Sequence, residues 1–153
     1  SKEERGFTCS KSLIISGTKA PQVPLKRPPI HRLPTPELIQ KIREYNGIPR
    51  DIIENKELMD IFLPIIRADF CISETYNYYS EPALASPIMA LGGLNDYTFD
   101  SQDLLKWQEQ TTALFQYELL PGDHFFIKSS YPEVINIVNK ILYKEITQFV
   151  TLN

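Results

Sequence analysis

Two side chains in the sequence have the types and positions needed for proton transfer. Asp96 follows a Gly-Gly turn after one apolar run, and His124 follows a Pro-Gly turn after the next apolar run. A carboxylate beside an imidazole fixes the tautomer of the ring and stabilises the imidazolium that forms when a nucleophile gives up its proton. This pair of residue types therefore indicates the acid and base of a catalytic triad.

Each of the two residues also has an ordinary structural explanation. An Asp in a glycine turn commonly accepts hydrogen bonds from nearby backbone N–H groups, and a histidine in a loop is more often structural or exposed than catalytic. His124, however, directly follows a predicted strand and precedes two phenylalanines, unlike His31, the second histidine of the chain. The residue types alone leave the catalytic and the structural explanation open.

The pattern of apolar runs predicts the elements that would position this pair. Short apolar runs bounded by glycine or proline turns predict buried strands at residues 12–16, 86–91 and 115–120. In a parallel sheet, ligands bind beyond the carboxyl ends of the strands. We therefore expect Asp96 and His124 on adjacent loops at the same edge of the sheet.

A helical insertion is predicted between the first two strands, at about residues 36–76. Thr35 is expected to cap a first helix, which Asn46 and the following glycine end. A second helical stretch runs from about residue 50 to 76, with a break or kink at Pro64.

Two further helices are predicted to flank the strands. Ser101 is expected to cap a helix that runs to about Thr111, and a last helix starts near Tyr131. The last helix carries an apolar face made of Val134, Ile137, Val138, Ile141, Leu142 and Ile146. Strands that alternate with helices predict an α/β fold, in which parallel strands are flanked by helices.

Composition argues against several classes of function. The net charge of −3 is spread without a basic run, so no nucleic-acid or membrane partner is expected. The apolar runs are too short to cross a bilayer, and the polar first residues do not form a signal peptide, which makes the cytoplasm the expected location. Cys9 and Cys71 lie far apart without a metal-ligand pattern, so we expect buried thiols and no metal site.

A series of short motifs runs along the chain in a fixed order. These are SGTKAP at 16–21, HRLP at 31–34, LPIIRADF at 63–70, ETY at 74–76, ALGGLND at 90–96, Trp107 and LPGDHFF at 120–126. Each motif alone is weakly specific. The ordered set resembles the type II thioesterases that accompany nonribosomal peptide and polyketide synthetases.

The resemblance implies a partial α/β-hydrolase fold with a helical lid. On this interpretation residues 1–153 form the C-terminal part of one thioesterase domain, and the predicted helices at about 36–76 form the lid. The triad of the family runs in the order Ser, Asp, His, and Asp96 and His124 match its acid and base. No serine of the chain stands in a G-x-S-x-G pattern. The nucleophile elbow and the N-terminal strands are therefore expected upstream of Ser1, and the fragment alone is expected to be inactive.

The resemblance also implies a substrate and a partner. Type II thioesterases hydrolyse acyl or aminoacyl thioesters from the phosphopantetheine arm of acyl or peptidyl carrier domains, and they need no cofactor of their own. The lid residues Phe62, Ile65, Ile66, Phe70 and Tyr76 would supply apolar walls for the acyl group, or they would simply pack the lid against the core. The chain departs from the family at Asp123, where a glycine is usual, and we expect this carboxylate to point to solvent.

Two alternatives to this function stay open at the level of the sequence. The first keeps the fold and changes the substrate, giving a medium-chain acyl carrier thioesterase or a small-ester hydrolase. The second is a non-catalytic piece that binds an acidic carrier protein. Its basic surface would consist of Lys26, Arg27, Arg32, Lys41 and Arg43, although the simpler explanation of these residues is that they are ordinary solvated side chains.

Overall fold

The computed structural model describes residues 11–151, which fall into two compact units. Of the described residues, the sheet unit comprises 11–20 together with 81–151, and the helical unit comprises Pro21–Ser80. Within the described part of the chain, no helix is long and apolar enough to cross a membrane.

The sheet unit contains three parallel strands in the order β1-β2-β3. They are β1 (Leu13–Ser16), β2 (Ile88–Gly93) and β3 (Phe115–Leu120). The predicted α/β class is confirmed, and so are the bounds of β3. The predicted range of β2, 86–91, begins and ends two residues early. Gly92 and Gly93 continue the strand and pair with the last two residues of β3.

Helices of the sheet unit follow β2 and β3. They are α4 (Ser101–Leu105), continued by a 3-10 helix (Lys106–Gln110), then α5 (Phe126–Ser129) and α6 (Tyr131–Thr151). The predicted cap was wrong by one residue, since Asp100 caps α4 and forms a reciprocal capping box with Asp103. The short helix α5 was not predicted. It follows directly from the turn that carries His124.

The core of the sheet unit lies between the strands and α6. Its buried residues are Leu91, Leu120, Phe126 and Ile137, and Ile14, Met89, Val134 and Ile141 pack against them. Burial of a side chain such as that of Phe126 contributes about 1.5–3 kcal/mol. The predicted apolar face of α6 is only partly correct, because Leu142 and Ile146 are exposed.

The helical unit consists of α1 (Thr35–Tyr45), α2 (Arg50–Glu54) and α3 (Lys56–Thr75). Thr35 was predicted as a cap but is the first residue of α1, and Pro34 precedes it without a side-chain cap. The predicted end is confirmed, because Asn46 adopts a left-handed conformation with φ of 56°.

Of the break or kink predicted at Pro64, the break is wrong, since α3 runs through that proline, and the kink stays a prediction. The chain breaks instead at Asn55, whose side chain accepts a hydrogen bond from the N–H of Leu58. A proline removes one helical hydrogen bond, and packing of the surrounding turns outweighs that loss here. The unit has its own core of Leu38, Ile42, Ile53 and Met59.

One of the two cysteines lies within the described residues. Cys71 is a free thiol and is only partly buried, so its predicted burial is wrong, while Cys9 lies outside the described residues. Met59 is the only buried residue of α3, all of which the structure describes, so Cys71 shares the partial exposure of its helix. Among the residues that the structure describes, no group of three or more His, Cys, Asp or Glu side chains could hold a metal ion.

Candidate active site

The loops that carry Asp96 and His124 are joined through their backbones. Where β2 and β3 end, the N–H of Leu94 donates to the carbonyl oxygen of Leu120 at 2.8 Å, and the N–H of Asn95 donates to that of Gly122 at 2.9 Å. These two bonds extend the strand pairing past the end of the sheet. Asp96 and His124 are therefore brought close together by the main chain.

Asp96 and His124 form a direct side-chain pair. The distance between His124 Nδ1 and Asp96 Oδ2 is 2.9 Å. The Asp96 side chain is 0% exposed and the His124 side chain is 26% exposed. Since a carboxylate can only accept a hydrogen bond, we assign a proton to Nδ1, which leaves Nε2 as the basic nitrogen of the neutral ring. A buried carboxylate therefore contacts a histidine ring that solvent can reach.

Thr98 contacts the same two side chains, and its role was not predicted from the sequence. Its backbone N–H donates to Asp96 Oδ1 at 2.8 Å, and its hydroxyl oxygen lies 3.1 Å from His124 Nδ1. Both oxygens of the Asp96 carboxylate are thus engaged, one by Thr98 and one by His124. The signal in the sequence is the Asp-x-Thr spacing, because an Asp side chain often accepts from the N–H two residues later.

The surroundings of Asp96 favour its charged form. Burial by itself would raise the pKa of this carboxyl, but hydrogen bonds from His124 and from the side chain and backbone of Thr98, with the charge of the imidazole, outweigh it. The pKa of Asp96 therefore lies below its ordinary value of 3.8. An ionised acid is the form needed to orient an imidazole and to stabilise its protonated form.

The carboxylate of Asp123 does not point to solvent as predicted. Its Oδ1 accepts a hydrogen bond of 2.8 Å from the N–H of Phe125, because an Asp side chain can close a turn on the N–H two residues later. Asp123 therefore shapes the turn that holds His124. Phe125 packs with its ring edge-on to the imidazole, with 5.2 Å between the ring centroids.

The end of β1 also approaches the imidazole. Gly17 has a φ of 62°, a conformation that favours glycine, and its N–H donates to the carbonyl oxygen of Leu91 at 2.9 Å. A Cβ on Gly17 would lie 3.7 Å from His124 Cε1. The ends of all three described strands therefore meet around His124.

The five lid residues named from the sequence differ in their surroundings within the helical unit. Ile66 and Phe70 pack against the core of that unit, and the rings of Phe70 and Tyr45 are 5.5 Å apart. Phe62, Ile65 and Tyr76 are exposed. Packing therefore accounts for the first two, while a role in substrate binding stays a prediction for all five.

Comparison with known proteins gives a consistent result. The family model described as the thioesterase domain matches residues 3–142. The gramicidin S biosynthesis protein GrsT of Aneurinibacillus migulanus is 40% identical over 130 residues, which are 85% of this chain and 51% of that protein. The chain spans about half the length of the curated relatives it matches.

Solved structures show the same fold. The crystal structure of ClbQ from the colibactin NRPS/PKS pathway matches with a TM-score of 0.83 and 30% identity, over 91% of this chain and 59% of that chain. The structure of the type II thioesterase BorB from the borrelidin biosynthetic cluster matches with a TM-score of 0.76 and 28% identity, over 85% of this chain and 53% of that one. The family resemblance seen in the ordered sequence motifs is confirmed.

Proposed function

Because this chain belongs to the thioesterase domain family, we propose that the protein hydrolyses thioesters, with His124 as the general base and Asp96 as the acid that orients it. The observation that carries the proposal is the 2.9 Å contact between His124 Nδ1 and Asp96 Oδ2. It joins a fully buried carboxylate to a partly exposed imidazole.

The proposed reaction uses the geometry of this pair directly. Nε2 of His124 accepts the proton of the nucleophile as it attacks the thioester carbonyl, and the imidazolium then returns the proton to the departing sulfur. Asp96 stabilises the imidazolium because its carboxylate contacts Nδ1. We assign the nucleophile to sequence outside residues 1–153, since no serine within them stands in a G-x-S-x-G pattern.

The proposed substrate is an acyl or aminoacyl group on the phosphopantetheine arm of a carrier domain. The relatives support this assignment, since one is a gramicidin S biosynthesis protein and another is a type II thioesterase from a biosynthetic cluster. Acyl and peptidyl carrier domains are then the partners, and the proposed chemistry uses side chains without a further cofactor. On the same proposal residues 1–153 are the C-terminal part of one domain located in the cytoplasm.

The helical unit is proposed as the lid that contacts the acyl group. Phe62, Ile65 and Tyr76 are the better candidates for this contact, because they are exposed and are not part of the core of their unit. Ile66 and Phe70 would act indirectly, by fixing the shape of the unit that presents the other three. Apolar side chains of this kind are typical of sites that bind aliphatic groups.

The proposal is tested by hydrolysis of acyl-loaded carrier protein by the complete protein. His124→Ala should lower kcat by about 10²–10⁴-fold, the contribution expected of a general base. Asp96→Asn should cause a loss of comparable size, because the ring then lacks its orienting charge. The matched control is Asp123→Asn, which keeps an oxygen to accept from Phe125 and should retain activity. Full activity of the His124→Ala protein would refute the assignment.

The same preparation separates the alternative functions. A panel of free acyl thioesters, small esters and loaded carrier proteins distinguishes an editing thioesterase from a medium-chain thioesterase or a small-ester hydrolase. Binding of a carrier protein without any turnover would favour the non-catalytic alternative. That result would also direct attention to the predicted basic surface, in which Lys26, Arg27, Arg32 and Arg43 are exposed and Lys41 is partly exposed.

A further inference from the structure

Thr98 holds the acid and the base through two different groups. Its backbone N–H bonds Asp96 Oδ1 at 2.8 Å, which leaves Oδ2 to face the imidazole. Its hydroxyl oxygen lies 3.1 Å from His124 Nδ1. A hydroxyl oxygen can accept a hydrogen bond from Nδ1–H, so each of the two Thr98 groups contacts one member of the pair. Thr98 thus closes a three-membered network with the proposed acid and base.

This network restricts the side-chain rotations that would break the contact between Asp96 and His124. The carboxylate of Asp96 cannot rotate without breaking its bond to the Thr98 N–H. The imidazole of His124 cannot turn Nδ1 away without losing both of its oxygen partners. The β-branched side chain of Thr98 has few rotamers, so its hydroxyl is itself held in place.

We propose that Thr98 is a positioning residue, which keeps the proton of His124 on Nδ1 and thereby keeps Nε2 unprotonated, as the basic nitrogen of the ring. The inference rests on the proposed function, in which Nε2 takes the proton of the nucleophile. Thr98 does not touch the reacting atoms. It acts through Asp96 and His124.

The two groups of Thr98 can be separated by substitution. Thr98→Val removes the hydroxyl, keeps the branched shape and keeps the backbone N–H that bonds Asp96. Thr98→Ser restores a hydroxyl without the methyl group. Thr147→Val is the matched control, because the Thr147 hydroxyl donates to a main-chain carbonyl, that of Tyr143, within α6.

The first measurement is the NMR spectrum of the histidine rings in the complete protein with ¹⁵N-labelled histidine, in which His31→Gln identifies the signals of residues 31 and 124. We expect Nδ1 of His124 to be protonated in the unmodified protein. In Thr98→Val that proton should exchange with solvent roughly five- to tenfold faster, the effect of losing about one hydrogen bond. Thr98→Ser should restore slow exchange, and Thr147→Val should not change it.

The second measurement is the hydrolysis of a loaded carrier protein. Thr98→Val should lower kcat by the same factor of roughly five to ten and leave KM within about twofold, because a positioning residue acts on the chemical step. Thr98→Ser should recover kcat. If Thr98→Val does not fold, Thr98→Ala, which also lacks the hydroxyl, replaces it in both measurements.

Each outcome decides the inference. Faster exchange and lower kcat in Thr98→Val, both recovered in Thr98→Ser, support it. Unchanged exchange in a folded Thr98→Val protein overturns it, whether or not kcat falls, since the ring would then be held without the hydroxyl. If the unmodified protein hydrolyses no thioester, the proposed function fails, and the ring spectra still decide the role of Thr98.

Discussion

The backbone N–H of Asn95 donates a hydrogen bond of 2.9 Å to the carbonyl oxygen of Gly122. This bond joins the loop after β2 to the loop after β3, and in each loop it lies just before the residue of the proposed acid–base pair. Asp96 and His124 are thus placed by main-chain pairing before their side chains interact. The pair should survive many side-chain substitutions nearby, but not a change that separates the two loops.

Gly93→Ala is such a change and should destabilise the sheet unit. A Cβ at Gly93 would lie 2.2 Å from the carbonyl oxygen of Asp123 and 2.8 Å from that of Gly122. Backbone atoms cannot rotate aside, so the loops must move apart. We expect the free energy of unfolding to fall by about 1–3 kcal/mol or more, as measured by urea denaturation.

Gly92→Ala is the matched control for that clash. A Cβ at Gly92 meets only the ends of the side chains of Leu119, Leu104 and Phe99, at 3.0–3.3 Å. Flexible side chains can yield by a few tenths of an ångström, so the loss of stability should be smaller. Equal losses at Gly92 and Gly93 would show that contact with the adjoining turn is not the cause.

Asp96→Asn should make stability less dependent on pH in the acid range. The pKa of Asp96 is lowered in the folded protein, so its charged form adds stability above the ordinary value of 3.8, and that stability is lost as the pH falls through the folded pKa. The variant should be less stable than the unmodified protein near neutral pH, and the gap should narrow below 3.8. Urea denaturation at a series of pH values measures the gap. A gap of constant size down to low pH would contradict the prediction.

The placement of the pair was predictable because it depends on local patterns. Apolar runs located all three strands to within two residues, and the rule that chemistry follows strand ends pointed to Asp96 and His124. The helical character of the chain between β1 and β2 was visible for the same reason, since helical spacing and turn residues are local signals.

The orientations of individual side chains were not predictable from such patterns. Asp123 and Thr98 both belong to turns in which a carboxylate bonds an N–H two residues later. Whether such a side chain closes its turn or faces solvent depends on rotamers and on neighbours from other strands. Thr98 contacts His124 as well as Asp96, and His124 is distant in the sequence. A short sequence pattern around Thr98 therefore cannot reveal its contact with His124.

Because α3 continues through Pro64, replacing this proline tests whether its poor helix propensity lowers stability or whether its side chain supports packing. Pro64 is exposed and lies inside the helix, where a proline lacks the N–H of a helical hydrogen bond. Pro64→Ala should therefore raise the free energy of unfolding by about 1 kcal/mol or more, after allowance for the greater entropy of the unfolded chain. Asn55→Ala should have the opposite sign, because it removes the cap on Leu58, at a cost of about 1 kcal/mol. A loss of stability in Pro64→Ala would mean that the proline supports packing.

Glu74 is the acceptor for three donors in the loop before α1. Its carboxylate accepts from the N–H groups of Ile30 and His31, at 2.9 and 3.0 Å, and its Oε2 lies 2.6 Å from His31 Nδ1. The side chains of His31 and Glu74 are only 10% and 9% exposed. Arg67 donates to the carbonyl oxygens of His31 and Leu33, so two residues of α3 fix the same loop.

Glu74→Ala should consequently be among the most damaging single changes in the helical unit. It leaves buried donors without their acceptor, and we expect a loss of about 3 kcal/mol in the free energy of unfolding. Asp60→Ala is the control, because its ion pair with Lys56 on the same helix is largely exposed and should contribute less than about 0.5 kcal/mol. Urea denaturation of both variants, followed by circular dichroism, makes the comparison. Losses of similar size would show that the loop is held in place by its prolines and apolar contacts, and not by the carboxylate.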